Sequence, residues 1–402
     1  MACMVTGACA VRPCASAARK CWRGVWVAAM VNATAAHALD WDDYAFAVHP
    51  SAILVPTTLA VAETVGSAGA EIAAAYVAGY EVWAHVMARE PDRLHDRGWH
   101  PTGLFGPLAA AAATAVLMRL DAPTAAAAIA IAASHAGGLM ANFGTMTKPY
   151  HGGKAAEAGI VAARLAAAGL TAGPTAIEDR LGLLQVLSPA GRADVTTPLD
   201  DLGRRWRILE TRLNVKKYPT VGASQRMIDS VVAFRRISDF DAEAVVRLRP
   251  LVSRKFAAVM PFHRPQTALE AKFSLEFCVA AGLLRGKVGL AELDDRFVRS
   301  EALQRLMAKV EPVITDEFDP TYPAAAPADY VDIDLADGRT LRTPPVKRAT
   351  GHADAPLPIA DIERKFAECA DVAGVAPARA KALFDQLQTI DRLAVVAGLG
   401  SA

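Results

Sequence analysis

The sequence predicts a mainly α fold: a large all-α helical domain interrupted by a smaller α+β domain. Three observations predict it. From residue 51 to about 210, apolar residues recur at helical spacing between glycine and proline stops. From about 212 to 350, short alternating runs enter, the clearest being Tyr330-Val331-Asp332-Ile333-Asp334-Leu335. After 351 the helical spacing returns, so the tail is expected to pack back on the first helical region. A chain of 402 residues is long enough for two such domains.

Taken in order, residues 1–31 read as an atypical and truncated N-terminus. No acidic residue precedes Asp40, and Cys3, Cys9, Cys14 and Cys21 crowd the start without partners at metal or redox spacing. Residues 32–211 form the first part of the helical domain, with helices over 71–87, 124–139, 157–168 and 179–185. Gly169 and Gly173-Pro174 stop the third of these. The stretch 122–147 lacks Asp, Glu, Lys and Arg, yet it is mostly alanine with Ser134, His135 and Asn142, so it reads as a buried helix rather than a membrane span. Residues 212–350 form the α+β domain: a helix over 223–233, a strand over 244–250, helices over 269–284, 290–297 and 300–307, and a weak strand at 313–315. A hairpin then joins 330–335 to 340–343 across Ala336-Asp337-Gly338-Arg339. Helices over 359–370 and 377–396 complete the helical domain in residues 351–402.

Composition excludes several classes. Hydrophobic residues are 53% and charged residues 21%, which is globular. A net charge of +1 with 6% aromatics gives no footprint for nucleic acid. Cys278 and Cys369 sit singly in helical patterns, as buried reduced thiols do. The expectation is a cytoplasmic protein with no cofactor and no structural metal.

The chemistry concentrates in Asp40-Trp41-Asp42-Asp43-Tyr44-Ala45-Phe46-Ala47-Val48-His49-Pro50-Ser51. Three carboxylates and a histidine beside alanine-rich helices are costly unless paired or wet. His49-Pro50-Ser51 followed by Pro56 is echoed by His100-Pro101-Thr102 followed by Pro107. In each, the hydroxyl residue reads as a helix cap with free N–H groups beyond it that attract an anion. A histidine at an anion-accepting helix end, used twice, suggests a small acidic substrate. His49 and His100 are the acid–base candidates, since imidazole titrates nearest neutrality. Asp40 could orient a histidine or act as base, while Asp42 and Asp43 read as helix-start or solvated charges. An aspartate cluster can also bind Mg2+ or Ca2+, although no calcium-loop spacing is present. Lys148 before Pro149 reads as a loop residue in an anion-binding turn. Lys216 and Lys217, if extended, point to opposite sides. His37, His85 and His135 read as core or interface residues.

Five ordered stretches together resemble the MmgE/PrpD family: 32–37 with 40–50, Gly98-Trp99-His100-Pro101, Thr147-Lys148-Pro149-Tyr150-His151-Gly152-Gly153, Lys216-Lys217-Tyr218-Pro219 and Leu269-Glu270-Ala271-Lys272-Phe273-Ser274. The family includes 2-methylcitrate dehydratases, cis-aconitate decarboxylases and iminodisuccinate epimerases. The resemblance implies a helical domain with an inserted lid domain, a homodimer, and a site in the cleft between the domains. It also implies catalytic Asp40, His49 and His100, with substrate held by Lys148 and Lys216 and Tyr44 lining the pocket. Relative to the decarboxylases, this chain has Val221 where they carry a histidine and Phe277 where they carry a tyrosine. The resulting expectation is a cofactor-independent lyase of the 2-methylcitrate dehydratase type, abstracting a proton next to a carboxylate of a small di- or tricarboxylate. An epimerase or isomerase of a dicarboxylate such as iminodisuccinate, a non-catalytic family member with a degenerate site, and an EDTA-sensitive hydrolase are its alternatives.

Overall fold

Alanine and glycine dominate the first helices, and small side chains let their backbones approach closely. The computed structural model describes residues 24–45, 48–397 and 399, so the four N-terminal cysteines lie outside the described residues. α1 (Val25–Ala38) begins ahead of Asn32, within the segment the sequence sets apart. α2 (Pro50–Val65), α3 (Gly69–Met87), α4 (Pro101–Leu117), α5 (Ala122–Ala133) and α6 (Thr147–Ala167) follow. α6 lies against α1, α4 and α5, and α4 also packs on α2 and α3. Nearly every residue of α4 is buried, as a helix apolar all round must be. Glycine is required at Gly153, where a Cβ would strike Thr34 Oγ1 and the Met30 carbonyl of α1.

The second unit is built on a four-stranded sheet in the order β4-β3-β5-β6. β3 (Val245–Ser253) pairs parallel with β4 (Val313–Thr315) and antiparallel with β5 (Tyr330–Leu335). The expected hairpin forms with β6 (Thr340–Arg342), in the register Ile333 opposite Leu341. α7 (Gln225–Ile237), α9 (Leu275–Arg285) and the sheet share a core of Met227, Val231, Leu248, Val252, Phe277, Val331 and Ile333. α10 (Glu301–Met307) packs on α9. α11 (Ile359–Val372) and α12 (Pro377–Gln388) return Phe366, Leu383 and Phe384 to the first core, beside Ile53, Tyr80, Trp83 and Phe105. A second ladder ties the units together: β1 (Asp43–Tyr44) pairs antiparallel with β2 (Asn214–Val215).

The helices expected over 179–185, 290–297 and 377–396 form only over Leu183–Leu187, Asp295–Val298 and Pro377–Gln388. Three further differences from the sequence expectation shape the site. The helix expected over 124–139 ends at Ala133. Beyond it Gly138 takes φ 117° and its carbonyl accepts the His100 N–H at 3.0 Å. α6 starts ten positions before the expected 157, so Lys148 lies in its first turn rather than in a loop. Pro149 is tolerated there because first-turn N–H groups have no helical acceptor. The helix expected over 269–284 is split into α8 (Ala268–Ala271) and α9 by Lys272-Phe273-Ser274. Ser274 Oγ accepts the Phe277 N–H at 3.1 Å and starts α9 afresh. Among the described residues no helix is long and apolar enough to cross a membrane.

Candidate active site

The ends of α1, α2, α4 and α6 converge where the second unit meets the first. Directly after α1, Asp40 adopts φ 51° with its N–H on the His37 carbonyl at 3.1 Å, an αL helix stop. That turn aims Asp40 at Lys148 of α6, with which it forms an ion pair. Lys216 lies one residue beyond β2, and its N–H bonds the Asp42 carbonyl at 3.1 Å. Its ammonium reaches Asp40 Oδ1 at 3.2 Å and Asp42 Oδ1 at 2.9 Å. Lys272, at the break between α8 and α9, donates to the Ala38 carbonyl at 2.8 Å. The Lys148 ammonium also faces the Phe143 and Phe273 rings, 5.6 and 5.2 Å from their centroids.

Three imidazoles cover this ionic floor. His37 Nδ1 lies 2.6 Å from Asp42 Oδ2. His49 Nδ1 lies 2.8 Å from the Asp43 carbonyl, which can only accept, and 3.2 Å from Asp42 Oδ2. His100 Nδ1 lies 3.0 Å from Nδ1 of half-buried His151. The ring centroids of His37 and His49 are 4.5 Å apart, and those of His37 and His100 5.8 Å. His37 Nε2, His100 Nε2 and Asp40 Oδ2 are buried without a hydrogen-bond partner among the described residues. Unpaired buried polar atoms are costly, and they concentrate where a ligand completes the set.

The electrostatics follow from burial in a dense charge cluster. Burial opposes ionisation of Asp40 and Asp42. The adjacent Lys148 and Lys216 outweigh it at Asp40, and His49, Lys216 and His37 outweigh it at Asp42, so both carboxyls stay well below the usual range. Burial likewise opposes charge on Lys216, but the two aspartates raise its pKa. Burial pulls Lys148 down despite Asp40, and pushes Lys272 down to about 8. Burial and the Lys148 charge lower His37 to about 3 and hold His100 well below its ordinary value, so both are neutral at pH 7. With three lysines against Asp40 and Asp42, the cluster carries surplus positive charge up to about pH 8.

The structure brings Asp40, His49, His100, Lys148 and Lys216 together. Tyr44 stands apart: its hydroxyl pairs with Tyr322 beneath Arg226. Ser51 and Thr102 do not cap their helices, because the histidines themselves occupy the N-cap positions. Ser51 Oγ instead bonds Asp43 and, at 2.6 Å, Tyr76, while Thr102 Oγ1 accepts the His49 N–H at 3.3 Å. Two residues read as bland lie in the cluster: Asp42 is a buried hub rather than a solvated charge, and His37 is buried as expected but pairs with Asp42. Lys272, to which the sequence assigned no role, adds the third cation. Asp43 is also buried, bonded to Ser51, with burial raising its pKa. His135 is exposed after α5. Lys217 does not face only water, since it pairs with Asp229 at 2.8 Å. Cys278 and Cys369 are buried. A separate cavity of about 300 Å³ beside Phe366 and Phe384 shares none of the cluster's residues.

The neutral imidazoles of His37 and His100 thus stand above paired lysines and aspartates where the two cores meet. The chain belongs to the MmgE/PrpD family: the MmgE/PrpD N-terminal domain matches residues 24–196 and the MmgE/PrpD C-terminal domain residues 218–389. It is 28% identical to the cis-aconitate decarboxylase of Mus musculus over 354 residues, which is 84% of this chain and 70% of that protein. The cis-aconitate decarboxylase of Homo sapiens is also 28% identical, over 84% of this chain and 71% of its own length. A cis-aconitate decarboxylase-like protein of Aspergillus oryzae is 29% identical over 79% of this chain and 70% of its own. The relatives named decarboxylases are lyases.

Proposed function

We propose that this enzyme is a lyase of the 2-methylcitrate dehydratase type, acting without a cofactor on a small di- or tricarboxylate. The observation that supports this most is the surplus of buried cations beside neutral imidazoles. A proton next to a carboxylate is very weakly acidic, so the site must stabilise an enolate-like charge and place a base within reach. Lys148, Lys216 and Lys272 hold the substrate carboxylates and the developing charge. Neutral His100 removes the proton and passes it through His151 toward solvent. His49, entering the reaction protonated with its Nδ1–H on the Asp43 carbonyl, gives its Nε2 proton to the departing hydroxyl group, and Asp40 and Asp42 fix the lysines and histidines in place.

In this reading residues 212–350 act as a lid on the helical domain formed by 32–211 and 351–402, and the cytoplasmic enzyme is a homodimer. Tyr44, displaced from the ionic floor, lines the lid side of the pocket. A second reading, decarboxylation of a cis-aconitate-like acid, is favoured by the names of the relatives. Against it, Phe277 is buried in the second core, packed on Phe297, and Val221 offers no titratable group. Product analysis with citrate, 2-methylcitrate and cis-aconitate separates the two. Loss of water to give an unsaturated acid supports dehydration. Loss of CO2 from cis-aconitate without any dehydration of the hydroxy acids contradicts it. Epimerisation of iminodisuccinate, with no loss of water from any substrate, would make the isomerase reading correct.

A further inference from the structure

We propose that His37, His49 and His100 also form a binding site for Zn2+ or a similar borderline-soft divalent ion, which blocks turnover reversibly. One ring nitrogen of each lies within 4.8 Å of the others, a spacing that small ring rotations close to tetrahedral coordination. Each ring is already anchored through Nδ1: His37 by the Asp42 carboxylate, His49 by the Asp43 carbonyl, and His100 by His151. Metal-ligating histidines are held in this way, with the outer nitrogen bonded to a carboxylate or carbonyl and the inner one free. Two of the inner atoms, His37 Nε2 and His100 Nε2, are fully buried and have no partner among the described residues. Lys148, Lys216 and Lys272 oppose a cation here; Asp40 pairs with Lys148 and Asp42 with Lys216, and Asp42 also lies directly behind His37 and His49.

Three imidazole nitrogen donors suit Zn2+ or Co2+ and not Mg2+ or Ca2+, which require oxygen. The metal would occupy the lone pairs of the histidines proposed to move protons. Only this effect on turnover rests on the functional reading above; binding itself does not.

The test is titration of the purified full chain with Co2+ followed by visible absorption, with Zn2+ as competitor. The expected result is one Co2+ per chain with the intense bands of a tetrahedral site, displaced by Zn2+. His37→Gln should weaken binding by about 100-fold or more, while Asp42→Asn should weaken it by ~10–100-fold by loosening the hold on the His37 ring. His135→Gln, on an exposed residue, should leave it unchanged. If His37→Gln does not fold, X-ray absorption of the wild-type Zn2+ form decides directly. Three imidazole nitrogens support the site, and an oxygen-only shell overturns it. Absence of stoichiometric binding, or binding that His37→Gln and His100→Gln leave intact, also overturns it. Stoichiometric binding with unimpaired turnover would retain the metal site but contradict the blocking effect, and with it the assignment of His49 and His100 as proton carriers.

Discussion

Asp40 stands where a helix usually ends on glycine, and its φ of 51° costs roughly 1–2 kcal/mol for a residue with a Cβ. The side chain must therefore return more than that, and its pairing with Lys148 and Lys216 is what it returns. Removing one partner of a buried ion pair costs about 3–5 kcal/mol. Asp40→Gly should accordingly lower the melting temperature although it relaxes the backbone; a thermal melt showing stabilisation would contradict the buried pairing. Lys272 sets the pH dependence. Burial depresses its pKa to about 8, so its charge is present below that pH and lost above it. The apparent KM for a carboxylate substrate should rise as pH passes about 8, and Lys272→Arg should push that limb upward, which a KM-versus-pH series reads directly. Lys148→Ala should raise KM by roughly tenfold or more, the loss of one charge-assisted contact. His100→Ala should instead lower kcat by ~10²–10⁴-fold. Full turnover in His100→Ala would remove it from proton transfer.

At the scale of elements, α1 and α6 hold the two halves of the floor, and Gly153 sets their separation. A side chain there has no space against Thr34 and Met30. Gly153→Val should separate the helices, cost about 1–3 kcal/mol as overpacking does, and weaken substrate binding by moving Lys148 from Asp40. Calorimetry with parallel KM measurements checks both effects. The elements whose signals are local are legible in the sequence. The hairpin between β5 and β6 follows from strict alternation around Asp337-Gly338, and α3 from its apolar spacing. What escapes is set by tertiary context. Lys148-Pro149 looks like a loop until the first turn of α6 makes the missing N–H harmless. The break at Lys272 is hidden because Leu269 and the residues that follow keep helical spacing across it, and only the capping by Ser274 reveals the interruption. Asp42 looks ordinary because its partner Lys216 is distant in sequence and is delivered by the pairing of β1 with β2, and His37 looks ordinary because its partner is that same Asp42.

Across the whole molecule, that small ladder and the return of α11 make one site from two cores. Lys365 of α11 donates to the Lys216 carbonyl at 2.8 Å, and Trp41 Nε1 donates to the Lys217 carbonyl at 2.9 Å, so two distant segments fix one lysine-bearing strand end. Both cores and their order along the chain are legible from the shift in periodicity near residues 212 and 350. The junction is not legible, because it depends on pairings that no local pattern encodes. The proposed homodimer predicts a single dimeric species in light scattering at micromolar concentration; a stable monomer with full activity would contradict it. The central claim is that this junction removes a proton next to a carboxylate. Proton NMR in D2O with citrate-like, methylcitrate-like and iminosuccinate-like acids tests it most directly. Deuterium entering at the carbon beside a carboxylate, and lost with His100→Ala, is the predicted result. A folded, substrate-binding enzyme that exchanges no such proton with any of these acids would contradict it.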